Sequence, residues 1–170
     1  MLNTYTVSFF GHRYIDDPLR VEERLEEQIE KLLEQHEFVE FLVGRNGDFD
    51  RCVSSAVTRV RRHYRDDNSA LVLVLAYPTA EYLNDQRAFH QYYTDVEISY
   101  AASNAHPKAA IQIRNREMVD RADLIICYIK EERGGAWRTI EYAKKKNKHI
   151  INLAERTDRD GWIQKILRGD

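Results

Sequence analysis

Thr6-Val7-Ser8-Phe9-Phe10-Gly11-His12-Arg13 decides the reading of the fold. An apolar run of strand length stops at a glycine, and polar residues follow. The arrangement recurs at Phe38-Val39-Glu40-Phe41-Leu42-Val43-Gly44, with Gly47 close behind. It appears in looser form at Leu124-Ile125-Ile126-Cys127-Tyr128, where Gly134-Gly135 stand in the loop beyond. Five of the seven glycines therefore follow three apolar runs. In a parallel α/β sheet, glycine there lets backbone amides at helix N-termini approach an anion, and ligands gather at the carboxyl ends of the strands. The pattern points to a site for an anionic, nucleotide-like molecule.

Working outward, helical periodicity fills the gaps between the runs. Val21, Leu25, Ile29 and Leu32 make one stripe between about Asp17 and Gln35, and Pro18 suits a first turn. Val53, Val57, Val60 and Tyr64 make another, with Asp48 or Asp50 expected as its N-cap. Ala70-Leu71-Val72-Leu73-Val74-Leu75 is a continuous apolar run, as in a strand covered on both faces. A helix is expected over about Lys108–Arg121, a strand at Leu124–Ile129, and a helix from Gly134-Gly135 to about Lys146. His149–Leu153 reads as a last strand and Asp158–Leu167 as a closing helix. Residues 77–107 are rich in aromatics but lack clear periodicity, and read as a long, irregular ordered insertion, with room for a short helix, folding over the sheet's C-terminal edge. The alternation predicts one α/β domain over residues 1–170, a three-layer sandwich around a mainly parallel sheet.

The totals narrow the function classes. A net charge of −2 offers no general attraction to nucleic acid or anionic lipid. Cys52 and Cys127 make neither a disulfide framework nor a zinc set, so a reducing, cytoplasmic setting is expected. The six histidines show no metal-ligand spacing, and no stretch reaches the length of a membrane helix. No cofactor is expected. G-x-G-x-x-G is absent, which disfavours a redox dinucleotide enzyme.

Three constellations are candidates for a site. Gly11-His12-Arg13 offers a guanidinium beside a strand-end turn, suited to phosphate or carboxylate, or else a surface Arg with a capping His. Gly44-Arg45-Asn46-Gly47-Asp48-Phe49-Asp50 contributes Gly44, Asn46, Gly47 and Asp50, and is equally a tight turn. The third set joins Arg114 and Asn115 to Gly134-Gly135 and to Glu141 in the helix they open. There an Arg could hold an anionic group while a carboxylate stabilises a sugar cation or positions water. An Arg–Glu pair tying two helices together fits the same spacing.

Taken together these residues resemble the SLOG superfamily: LOG-type phosphoribohydrolases, Smf/DprA DNA-processing proteins and YpsA-like bacterial proteins. Val7–Arg13 resembles the FTGHR opening of YpsA-like members, and Gly44–Asp50 their second glycine-rich loop. Ala110–Asn152 resembles their closing half, with RN, a Met, an Asp at the strand entrance and GG. The resemblance implies a Rossmann-like fold with a nucleotide-derived ligand. It places Arg114 and Glu141 where LOG enzymes carry their functional Arg and Glu. Asn115 stands for the Lys of that motif, Arg133 for its Pro, and Trp137-Arg138 for its Gly-Thr step. Trp137 would then close the phosphate pocket or stack on a base.

The expectation is accordingly a cytosolic protein that binds or senses a small ribose-phosphate ligand, with phosphoribohydrolase activity through Arg114 and Glu141 as the alternative. Single-stranded DNA binding, as in DNA-processing relatives, is disfavoured by the net charge, no membrane partner is expected, and a homo-oligomer is left open.

Overall fold

A computed structural model describes residues 2–154. The helix expected over Asp158–Leu167 lies outside the described residues. In chain order the elements are β1 (Thr4–Gly11), α1 (Pro18–Gln35), β2 (Phe38–Val43), α2 (Asp48–His63), β3 (Ser69–Leu75), α3 (Ala80–Asn84), α4 (Gln86–Tyr92), β4 (Asp95–Ile98), α5 (Tyr100–Ser103), α6 (Pro107–Arg121), β5 (Leu124–Tyr128), α7 (Gly135–Lys145) and β6 (His149–Asn152). The strands form one sheet, ordered β4-β3-β2-β1-β5-β6. Every adjacent pair is parallel.

The sheet is covered on both faces, which is why its central strands are apolar on alternating sides without interruption. Val7, Phe9, Phe41, Leu71, Leu73 and Ile126 face the layer carrying Leu25, Ile29, Val53 and Val57 of α1 and α2. Phe10, Leu42, Val72, Ile125 and Cys127 face Met118 and Val119 of α6 and Ile140 and Ala143 of α7. Ser8, fully buried in β1, donates its hydroxyl to the Met118 carbonyl at 2.7 Å. This is the expected three-layer Rossmann-like sandwich.

Two local expectations are corrected. Residues 77–107 are not irregular. They hold α3, α4, α5 and the sheet's edge strand β4, paired with β3 from Val72↔Asp95 to Leu75↔Ile98. The signal was hidden because β4 is only four residues long and neither end is buried. The N-cap of α2 is Gly47, with no side-chain cap bond, rather than Asp48 or Asp50. Both carboxylates reach elsewhere: Asp48 accepts the Ile15 N–H at 3.0 Å and Asp50 accepts the Asn46 N–H at 2.8 Å.

The chain steps from β1 outward to β4, then returns to the other side of β1 at β5. The strand order therefore reverses between β1 and β5. Crevices of open α/β sheets form at such a reversal, outside the carboxyl ends of the strands.

Candidate functional site

A cleft of about 750 Å³ lies at that point. It brings together Gly11, His12, Arg13, Gly44, Asn46, Gly47, Asp50, Arg114, Asn115, Gly134 and Gly135, which are distant in sequence. Two residues of the expected set, Trp137 and Glu141, do not line it. At 100° per residue, position 137 has turned well away from the side on which Gly135 faces the cleft, and Glu141 lies about 9 Å further along the helix. Glu141 instead meets Lys144 at 3.2 Å. Among the described residues no ion pair joins Glu141 to Arg114, and only Arg114 of the two lines the cleft.

Three of the glycines serve packing. A Cβ on Gly11 would fall 2.3 Å from the ring of Phe49, which is fully buried. One on Gly47 would fall 2.6 Å from the Arg13 Cα, where the second loop crosses the first and Asp48 N–H donates to the Arg13 carbonyl at 2.9 Å. One on Gly44 would fall 2.8 Å from the Arg114 guanidinium. Gly134 differs: its φ of +92° is the left-handed region, and nothing lies within 4 Å of a Cβ there. It is the N-cap of α7 and offers no side-chain acceptor to the first amides of that helix. Uncapped N–H groups at a helix start carry partial positive charge and suit an anion.

His12 serves the loop beyond β5. Its Nε2 accepts the N–H groups of Lys130 at 2.9 Å and Glu131 at 3.1 Å, so that nitrogen is occupied within the fold. Asn115 is likewise spent. Its Oδ1 accepts Arg114 Nε at 2.9 Å, and its Nδ2 donates to Thr139 Oγ1 at 3.0 Å. Thr139 passes the chain on to the Gly135 carbonyl at 2.9 Å, which Gln112 also meets at 3.1 Å. This relay fixes the start of α7 against α6.

Arg114 is 4% exposed and donates Nη1 to the Val74 carbonyl at 2.8 Å. Burial lowers the pKa of its guanidinium, opposed by the nearby Asp50; an arginine stays cationic nonetheless. Burial raises the half-buried Asp50 carboxyl, which the Asn46 N–H and Arg114 pull back down.

The lining also holds residues that the sequence reading passed over: Tyr14, Lys108 and Lys130. Tyr14 is 87% exposed beside Arg13. With Arg133 and Arg138, the cleft counts six Lys or Arg side chains against three Asp or Glu. Each missed residue lies within a few positions of a strand's carboxyl end or in the first turn of α6. A search of every residue at that edge, glycine or not, would have found them.

A parallel α/β sandwich with a cationic crevice at its strand-order reversal has the Rossmann-like fold. No protein-family model matches the chain, and no curated protein matches it. Among solved structures the chain is similar to DNA processing protein A (DprA) from Streptococcus pneumoniae, with a TM-score of 0.65 and 17% identity over 98% of this chain and 57% of that one. It is also similar to DprA from Helicobacter pylori, described for its single-stranded DNA binding mode, with a TM-score of 0.59 and 15% identity over 97% of this chain and 73% of that one. The chain thus spans little more than half the length of the first of these proteins. The likeness is one of fold.

It overturns two expectations, the small-molecule nucleotide sensor and the argument against nucleic acid. A protein of this fold from Helicobacter pylori binds single-stranded DNA. Net charge was the wrong quantity: a total of −2 coexists with a cationic excess in the cleft, and the local field governs what binds there.

Proposed function

We propose that this chain is a single-stranded DNA-binding domain, standing nearest the YpsA-like members among SLOG-type proteins and working in the cytoplasm. The observation that carries the reading is the cationic excess of the crevice between β1 and β5, in a fold shared with a single-strand-binding protein. Arg13, Lys108, Lys130, Arg133 and Arg138 ring the cleft as contacts for successive phosphates, and the uncapped start of α7 adds backbone N–H donors. Tyr14 supplies an exposed ring on which a base stacks without regard to sequence. Among the described residues no helix is long and apolar enough to cross a membrane.

Fluorescence anisotropy with a labelled oligothymidylate tests this, with duplex DNA and free nucleoside monophosphates as competitors. The single strand is expected to bind, duplex to compete weakly and monophosphates hardly at all. Log K should fall with log salt concentration by about 0.7 per phosphate neutralised. Failure to bind any single strand at low salt would overturn the reading.

A further inference from the structure

β1 ends at Gly11, in register with Tyr128 of β5, and the His12 N–H continues the ladder to the Tyr128 carbonyl at 3.3 Å. His12 therefore sits beside the point where the chain leaves β5. Its ring uses that place, with Nε2 accepting the N–H groups of Lys130 at 2.9 Å and Glu131 at 3.1 Å. A ring nitrogen that accepts carries no proton, so the imidazole is neutral and its one N–H is on Nδ1.

The loop held in this way has no other backbone anchor. On one side Asn152 brackets Ile129, accepting its N–H and donating to its carbonyl, each at 3.0 Å. On the other, the Gly134 carbonyl accepts the Arg138 N–H at 3.1 Å as α7 begins. Between them, among the described residues, the backbone of residues 130–133 makes no hydrogen bond except the two to His12. The Glu131–Arg133 ion pair is internal to the loop, and the Lys130 ammonium lies 5.6 Å from the centre of the Tyr128 ring. This loop brings Lys130 and Arg133 to the cleft and leads into the uncapped start of α7.

Imidazole is the one acceptor of this kind that ordinarily gains a proton between about pH 8 and pH 5. When Nε2 takes up that proton, both ring nitrogens become donors. N–H then faces N–H, and the Lys130 and Glu131 amides lose their acceptor. The charges that share the cleft are mixed. Arg13 and Asp16 come from His12's own loop, Asp50 from α2, Lys108 and Arg114 from α6, Arg138 from α7, and Lys130, Glu131 and Arg133 from the loop it holds. Glu131, the carboxylate of that loop, is taken by Arg133. We infer that His12 is a positioning residue of the cleft: neutral, it fixes the loop that presents Lys130 and Arg133 to the strand, and protonated, it releases that loop. The inference rests on the single-strand reading above and adds a pH dependence to it. Acidification loosens the strand, the reverse of what one more cation beside phosphates does.

The first test needs no DNA. Nitrogen NMR of the free protein should find His12 protonated on Nδ1 alone at about pH 8. On acidification the Lys130 and Glu131 amides should shift together with the His12 ring and exchange faster with solvent. His12→Gln puts a non-titrating acceptor close to the place of Nε2, and in that variant the two amides should not respond. The second test measures oligothymidylate affinity at about pH 8 and about pH 5.5, since thymine has no group that titrates in that range. The parent should lose affinity relative to His12→Gln by about tenfold, as expected where two N–H groups lose their acceptor. The variant subtracts the other five histidines, none of which lines the cleft. A proton on Nε2 at pH 8, or loop amides that respond alike in parent and variant, would overturn the inference. So would a parent that gains affinity on acidification relative to the variant. Loop release seen by NMR with no strand bound at either pH would overturn the single-strand reading and leave the positioning role of His12 intact.

Discussion

Gly11 and Gly134 both stand at the carboxyl edge of the sheet, in loops that reach the same cleft, yet they answer opposite needs. Gly11 is glycine because Phe49 fills the space where a side chain would go. Gly134 is glycine because of its left-handed backbone, with open space around it. Gly44 and Gly47 side with Gly11, one making room for Arg114 and the other for the Arg13 backbone. A glycine at a strand end therefore has two physical meanings, close internal approach or an open anion seat, and sequence does not separate them. In this protein the first two loops form a packed buttress, and the third is the face that the buttress leaves accessible.

The sharpest way to break that comparison is Gly11→Ala against Gly135→Ala. The new methyl at position 11 meets Cβ, Cγ and Cδ2 of Phe49, atoms near the root of a fully buried ring that stacks on Tyr128. Those atoms cannot swing aside, so Gly11→Ala should cost about 3 kcal/mol, the upper end of overpacking penalties. Urea unfolding should show the midpoint fall with an unchanged slope. Phe49→Leu in the same chain should recover part of the loss, because the two positions are coupled. At Gly135 a methyl meets only the Gln112 amide nitrogen, at 3.0 Å, and that side chain can move. Gly135→Ala should stay within about 1 kcal/mol of the parent. Equal losses at the two positions would refute the division into buttress and open face.

The largest binding effect should come from Tyr14→Ala, at an exposed side chain that the first loop turns outward. An exposed ring contributes little to folding, whereas stacking on one base is worth about 1–3 kcal/mol. Affinity for an oligothymidylate should fall by about tenfold with the melting temperature unchanged. An unchanged affinity would remove Tyr14 from the strand's path.

Smaller effects belong to the rim. Arg133 is highly exposed and, among the described residues, pairs with Glu131 at 2.9 Å, a surface pair of little value to stability. Arg133→Ala and Arg138→Ala should each weaken binding by a few-fold and lower the salt slope by about 0.7. A slope that does not move would mean that these side chains touch no phosphate.

The fold was legible because strand-length apolar runs alternate with helical stripes, and such runs need both sheet faces covered. The edge strand β4 was not legible, since four half-exposed residues carry no period. The meeting of three loops in one cleft followed from their shared place at strand ends. The part played by each residue did not follow, because the relay from Arg114 through Asn115 and Thr139 to Gly135 is tertiary. Trp137 was carried in by motif position, and Glu141 by its place in the helix that Gly134-Gly135 opens. Helix geometry removed them, while Tyr14, Lys108 and Lys130 entered by location without belonging to a motif.

The smallest expected effect tests whether the buttress carries a functional charge at a cost. Burial raises the Asp50 carboxyl above its ordinary value, and this outweighs the opposing pull of Asn46 and Arg114. For a group whose folded pKa is raised, the associated stability is fully present below the unfolded pKa. It is lost as pH rises through the folded pKa. Ionised Asp50 should therefore weigh against folding at neutral pH and not at pH values below the ordinary carboxylate range. Asp50→Asn keeps the bond to the Asn46 N–H and removes the titration. Its melting temperature should exceed the parent's at pH 7, and the gap should narrow as pH falls towards 4. A gap that widens on acidification would mean that the attraction to Arg114 outweighs burial, and that Asp50 is there to hold the fold. A gap closing on acidification marks a carboxylate kept at some expense of stability, as expected of a group retained for what enters the cleft.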